Sequence, residues 1–295
     1  MSTVETLFHQ LDEESNEKEG VAYLEHLLTR LEQLNDAEKV GTKEERRKAV
    51  QLALIKGMKQ STQSNHQMTP DALGMLMSYF IEKWTERKKE LVIADLAVGT
   101  SNLLLTVMNH LDHKTIQGYG VEIDDLLLRI GAAASDFVEQ PITYYCQDSL
   151  RPLYMDPVDV IVSDLPVGYY PDDENGLNYR LMPTEGHAYA HHLFIEQTLN
   201  YLKEDGVAVL LVPNHLFDSE QSDLLYPFFK SEGTISALFQ LPPTLFKDAN
   251  QGKSILVIEK EKRKKDVLLA TVPDLSDANA MARFFAKVHE STKNK

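Results

Sequence analysis

Four carboxylates stand where apolar runs stop: Asp95 after L-V-I-A, Glu122 after Ile116 to Val121, Asp148 after Ile142 to Cys146, and Asp164 after Val158 to Ser163. An acid at the carboxyl end of a buried parallel strand lies on the edge where open α/β sheets bind their ligands. After Leu91 the chain reads L-V-I-A-D-L-A-V-G-T-S-N-L-L-L, the pattern of a strand, a tight loop and a helix. Ala97 and Gly99 let backbone amides come close to a ligand at the helix N-terminus. Glu122 stands at the tip of the next strand, where an acid commonly accepts from the two hydroxyls of a ribose. The chemistry these residues suit is the binding of a nucleotide-like cofactor. No G-K-[ST] follows, so the loop is not a P-loop, and Ser101 holds the second glycine position of a dinucleotide fingerprint.

The elements that must hold these acids follow from periodicity. Strands near 91–95, 116–121, 142–146, 158–163, 207–213, 234–240 and 254–260 alternate with helical segments, which predicts an α/β fold with a doubly wound, seven-stranded Rossmann-like sheet. Residues 165–187, rich in Pro, Gly, Asp and Tyr, are too long for a plain connection and open at the ligand edge, so they read as a substrate-facing loop. The last strands are joined through L-P-P-T-L-F without a long helix, and beyond Lys265 a short strand and an amphipathic helix, Asp277 to His289, cap the sheet.

Residues 1–62 carry helical periods only and predict a small N-terminal bundle. Leu24, Leu27, Leu28, Leu31 and Leu34 form one apolar stripe, and Ala49, Leu52, Ala53 and Ile55 suggest a second. The polar run S-T-Q-S-N-H-Q-M-T-P sets the boundary, with the α/β domain spanning 66–295. Pro70 suits the first helical position with Thr69 as N-cap, and the following helix places Leu73, Leu76, Met77, Phe80, Ile81 and Trp84 on one face.

Composition narrows the function. At 295 residues and 43% hydrophobic, the chain can bury one sizeable core plus a small appendage. The first residues show neither a basic nor an apolar leader region, and no stretch nears the roughly 18 uninterrupted apolar residues of a membrane span. The expectation is a cytoplasmic protein without membrane contact. Cys146, the single cysteine, is expected to be buried and unreactive in its apolar strand. His187, His191 and His192 lack a carboxylate or cysteine that would complete a metal set, so no metal is expected. A net charge of −15 argues against unaided binding to duplex DNA, whose affinity comes largely from Lys and Arg. The basic clusters Lys43 to Lys48, Arg87 to Lys89 and Lys260 to Lys265 are flanked by acids or lie at domain edges, and read as solvated faces.

Taken in order, the motifs resemble the class I S-adenosylmethionine-dependent methyltransferases, and within them the adenine-N6 type, most like the M subunit of type I restriction-modification systems. M-T-P at 68–70 resembles the family's T-P segment, D-L-A-V-G-T-S-N-L-L its D-P-A-C-G-T-G motif, and D-L-P-V at 164–167 its N-P-P-[FY] tetrad. H-L-F-I-E-Q-T-L-N-Y-L-K-E-D-G-V-A-V-L-L-V-P-N-H-L-F, L-P-P-T-L-F and S-I-L-V-I-E-K then follow the family's order, so the likeness covers about 66–262. It implies S-adenosylmethionine as cofactor. Asp95 with the loop Ala97, Gly99, Ser101, Asn102 and Leu103 would face its methionine moiety, Glu122 the ribose and Asp148 the adenine amino group, with Ile123 and Ser149 among the cofactor-binding residues and Thr69 and Pro70 closing the pocket.

The same resemblance assigns the chemistry to Asp164, Leu165 and Pro166. A side-chain oxygen and the next backbone carbonyl accept the two N–H bonds of an exocyclic amine and aim its lone pair at the methyl carbon. Val167 replaces the aromatic that would stack on a base, which leaves Tyr169 or Tyr170 as stacking candidates. The implied activity is methylation of adenine N6, in nucleic acid (DNA methylation) or a nucleotide, with target recognition supplied by a separate partner. Methylation of a protein side-chain amide, and a cofactor-binding regulatory role without turnover, are the alternatives.

Overall fold

The computed structural model describes residues 2–15, 18–58, 68–246, 251–262 and 266–292. Eight strands form one sheet: β1 Glu90–Asp95, β2 Thr115–Glu122, β3 Ile142–Cys146, β4 Val158–Asp164, β5 Leu202–Pro213, β6 Thr234–Gln240, β7 Lys253–Glu259 and β8 Leu268–Thr271. Their order is β3-β2-β1-β4-β5-β7-β6-β8. The pairs β2/β3, β4/β5 and β6/β8 are parallel, while β7 runs antiparallel to both β5 and β6. All seven expected strands are present. The eighth is the short strand after 265, which joins the sheet beside β6 and raises the count by one.

By its contacts the chain divides into two compact units, 1–78 with 94–148 and 79–93 with 149–295. In the first, α1 Thr3–Asp12, α2 Gly20–Gln33 and α3 Lys43–Met58 share a core with α5 Asn102–His110 and α6 Asp125–Val138. Leu7, Leu11, Tyr23, Leu27, Leu54, Ile130 and Phe137 are all buried within it. The N-terminal helices therefore pack on α5 and α6, the helices that follow β1 and β2, and the apolar stripe on α2 has α6 as one of its partners. The proposed boundary falls largely on residues 61–67, which lie outside the described residues.

Two expectations about burial change. The buried face of α3 is Arg46, Arg47, Ala49, Val50, Ala53, Leu54 and Gly57, while Leu52 and Ile55 are exposed. Two buried arginines paired with carboxylates occupy this face, so counting apolar residues alone turns the helix to the wrong side. Cys146 is exposed, because β3 is the edge strand and its residues are only partly covered.

In the second unit, Phe80 from the end of α4 (Asp71–Trp84) stacks on Phe239 of β6 with ring centroids 4.2 Å apart, and Phe284 of α10 (Ala278–Thr292) meets both edge-on. α4 begins at Asp71, so Pro70 takes the capping place expected for Thr69, and its carbonyl accepts from the Gly74 N–H.

At the amino end of β4, Asp159 accepts from the Val92 N–H at 2.9 Å, from Lys203 at 2.9 Å and from Lys88 at 3.0 Å. Burial alone would raise its pKa, but the Val92 amide and the two ammonium groups outweigh burial and hold the carboxyl below its usual 3.8. A carboxylate with a depressed folded pKa contributes stability above its unfolded value and loses it as pH falls through the folded one. Asp159→Asn should therefore lower unfolding free energy at neutral pH, with the deficit shrinking as pH falls from the ordinary carboxylate range through the lowered folded value. Urea unfolding across pH measures this; a deficit independent of pH would contradict it.

Candidate active site

The loop after β1 is shaped by two left-handed residues, Gly99 at φ 51° and Ser101 at φ 66°. Asp95, buried at the strand end, accepts from the Ala97 N–H at 3.0 Å. The Val98 N–H donates to the Val121 carbonyl at 3.0 Å, and the Gly99 N–H to Glu122 Oε2 at 2.9 Å. Oε1 of the same carboxylate accepts from the N–H groups of Ile123 and Asp124, at 2.9 and 3.0 Å. Three backbone amides thus fix Glu122, out of about four acceptor positions a carboxylate offers. Ile123 is 70% exposed beside it.

A left-handed residue without glycine is strained, and Ser101 is held by its side chain. Its hydroxyl is 2.8 Å from the Tyr144 hydroxyl, which donates to the Gly131 carbonyl at 2.9 Å. With the tyrosine proton committed there, Ser101 is the donor to Tyr144, and its hydroxyl faces β3 and α6 instead of a ligand. Burial pushes the Tyr144 hydroxyl up to about 12, so it stays protonated. Ser101 makes no side-chain bond to the first turn of α5. Asn102 is buried, with its amide donating to the Thr69 carbonyl at 3.1 Å, and Leu103 is buried behind it. Pro70 is exposed, and Asp148 follows β3 half-buried.

The remaining candidates belong to the second unit. Ser149 is buried, and its carbonyl accepts from Gln197 at 2.7 Å. Asp164 ends β4 and its Oδ1 accepts from Lys253, a partner the sequence gives no sign of. The register explains the pair: Asp164 aligns with Leu211 of β5, and two residues on Pro213 aligns with Lys253 of β7. Leu165 is buried and donates its N–H to the Leu211 carbonyl at 3.1 Å, so its backbone is pinned even without the proline of the family tetrad. Pro166 and Val167 are exposed.

The 165–187 loop is tied to the start of α8 (Ala190–Tyr201). Gly168 O accepts from the Ala190 N–H at 2.8 Å and the Tyr170 N–H donates to Ala188 O at 2.9 Å. Tyr169 is 57% exposed and stacks on Tyr189, centroids 5.0 Å apart and 10° from parallel; Tyr189 in turn stacks on His191 at 5.2 Å. Tyr170 is turned inward, its hydroxyl accepting from Asn175 at 3.0 Å, so of the two it is Tyr169 that presents a ring to solvent. His191 and His192 are fully buried, and none of their ring nitrogens has a hydrogen-bond partner among the described residues. Burial pushes them down to about 3 and about 4, with His215 nearby adding to both. They are neutral packing under the tyrosines. His187 instead pairs with Asp173 at 2.8 Å, and no group of three His, Cys, Asp or Glu suited to a metal occurs among the described residues.

A doubly wound sheet with an antiparallel β7, a glycine loop after β1 and an acid at the tip of β2 defines a class I methyltransferase. The chain belongs to the N-6 DNA methylase family, whose model matches residues 54–287. It is 46% identical over 248 residues to the uncharacterized protein YtxK of Bacillus subtilis, covering 83% of this chain and 75% of that one. A Listeria monocytogenes structure described as a candidate class I S-adenosylmethionine-dependent methyltransferase is 38% identical, with a TM-score of 0.89 over 99% of both chains. The type I restriction-modification methyltransferase subunit of Streptococcus thermophilus shares the fold at a TM-score of 0.71 and 16% identity, covering 91% of this chain and 61% of that one.

The cofactor of this class is S-adenosylmethionine, and the loop fits it. A Cβ placed on Gly99 would meet no atom within 4 Å, so the loop apex faces open space. Its opposite side is filled: a Cβ on Gly131 of α6 would lie 2.6 Å from Ser101 Oγ and 3.3 Å from the Gly99 carbonyl oxygen. Gly131→Ala should therefore displace the loop, costing about 1 to 3 kcal/mol of stability as overpacking does, and weaken cofactor binding. Adding Ser101→Gly should recover part of both losses in calorimetry and urea unfolding. Unchanged affinity in Gly131→Ala would show that the loop tolerates the shift.

Proposed function

We propose that this methyltransferase transfers a methyl group to the exocyclic N6 of adenine, and that Asp164 and the Leu165 carbonyl hold that amine. The observation that carries this reading is the Asp164–Tyr169 segment itself: a carboxylate at the end of β4, a pinned backbone beside it, and an exposed ring backed by Tyr189. S-adenosylmethionine, when bound, supplies an electrophilic methyl on a sulfonium. Two acceptors on the amine N–H groups orient its lone pair for in-line attack and stabilise the positive charge that develops on nitrogen. The amine shares the Asp164 carboxylate with the Lys253 ammonium, which keeps the side chain in one orientation.

The cofactor roles proposed are those the resemblance implies. Glu122, already oriented by three backbone amides, accepts from the ribose hydroxyls, and Asp148 accepts from the adenine amino group, with Ile123 and Ser149 beside them. Asp95 and the amides of 97–103 face the methionine moiety, with Thr69 and Pro70 alongside. Tyr169 takes the stacking place that Val167 leaves empty, worth roughly 1 to 3 kcal/mol per base.

With a net charge of −15, the protein is proposed to act on single-stranded or nucleotide-sized adenine, or on DNA delivered by a basic recognition partner. No helix among the described residues is long and apolar enough to cross a membrane, and the cytoplasm is the proposed location.

Glu122→Ala should weaken S-adenosylmethionine binding by about 1.5 to 3 kcal/mol, the scale of a lost charged acceptor. Asp164→Ala should leave that affinity within a few fold and remove methyl transfer. Calorimetry with labelled-methyl transfer tests the pair; an Asp164→Ala protein that loses cofactor affinity as well would place Asp164 in the cofactor pocket.

A further inference from the structure

Arg47 of α3 is 1% exposed, yet every one of its N–H donors is used. Nε donates to Glu44 Oε2 at 2.9 Å, Nη2 to Glu44 Oε1 at 2.7 Å and Asp71 Oδ2 at 2.8 Å, and Nη1 to Asp71 Oδ1 at 3.0 Å. The fifth bond runs from Nη1 to Asn102 Oδ1, at 2.8 Å. Asn102 is the first residue of α5, the helix whose first turn faces the cofactor, and its other side-chain atom holds the Thr69 carbonyl. Asp71 directly follows Thr69 and Pro70. One guanidinium therefore joins α3, the T-P segment and the cofactor loop. The far end of α5 is held by the same helix, since Asn109 donates to Glu44 Oε2 at 3.0 Å. α6 is held as well, through Arg46 to Glu139 at 2.5 Å.

We propose that Arg47 is a positioning residue for the cofactor loop, so that the N-terminal helices form part of the S-adenosylmethionine site. Stability alone is a poor account of the cluster, because buried ion pairs can often be replaced by apolar residues at no loss, whereas their directional bonds set register. A guanidinium fork reaches Asp71 with two bonds and still has a donor for Asn102; an ammonium has no such planar geometry. The inference rests on the loop binding the cofactor, and coupling between sites is reciprocal: if Arg47 orders the loop for the cofactor, the cofactor must order the region around Arg47.

The test is amide hydrogen exchange of the full chain with and without saturating S-adenosylmethionine, and separately with S-adenosylhomocysteine. Protection is expected in 97–105 and also in 43–50 of α3. Protection of the loop with no change in α3 would overturn the proposal. No protection anywhere would instead refute cofactor binding by the loop. Arg47→Lys, which keeps the charge, should bind both compounds roughly tenfold more weakly, the scale of one misplaced partner. Its exchange should rise in 99–105 without cofactor and stay unchanged in β5. Wild-type affinity in a folded Arg47→Lys protein would overturn it as well, and Arg47→Lys/Asp71→Glu separates the two roles. This double variant lengthens the carboxylate to meet the shorter cation, so it should regain stability without regaining affinity; recovery of both would mark Arg47 as purely structural.

Discussion

The hydrogen bond from the Gly99 amide to the Glu122 carboxylate joins the glycine loop to the acid at the tip of β2, the two features proposed to hold the cofactor. It links the loop after β1 to the tip of β2, and it requires a loop that turns through positive φ at Gly99 and again at Ser101. The second turn is costly for a non-glycine residue, and the Ser101–Tyr144–Gly131 chain of hydroxyls and carbonyl offsets that cost from the side away from the ligand. Behind this, α6 must approach the loop closely enough that only glycine fits at 131. The N-terminal helices then cover α6 and reach α5 through Arg47, so the position of the loop depends on contacts made by residues far from it in sequence.

Much of the sheet is legible in the sequence because β1, β5 and β7 carry unbroken apolar runs and acids stand at or just past the ends of β1, β2, β3 and β4. Strand bounds agree closely, and β5 departs most, because it begins at Leu202 with the polar residues Lys203 to Asp205 before its apolar part. What fails to show is whatever depends on tertiary pairing. The face of α3 is misread because Arg46 and Arg47 are buried with partners on α6, α4 and α5, and periodicity has no means to recognise a satisfied arginine. Cys146 is misread because an edge strand can be as apolar as a central one.

The candidate site divides in the same way. Asp95, Glu122, Asp148 and Asp164 are visible as acids after apolar runs. The choice between Tyr169 and Tyr170 is not, since adjacent residues in a loop point apart and only the pairing of 168–170 with 188–190 decides which turns inward. Lys253 reaches Asp164 through two register steps across β5, and no local motif encodes that. Ser101 shows in the sequence only as a departure from the glycine fingerprint; the bond of its hydroxyl to Tyr144, which stabilises the turn, depends on tertiary pairing.

The central claim is that the amine held at Asp164 is adenine N6. Its most direct measurement is mass spectrometry of nucleosides and of peptides after incubation with methyl-labelled S-adenosylmethionine, adenine-containing single strands and a protein extract. The account predicts labelled N6-methyladenine from the nucleic acid, and no such product from the Asp164→Ala protein. Label found on protein side-chain amides, with none in adenine, would contradict it.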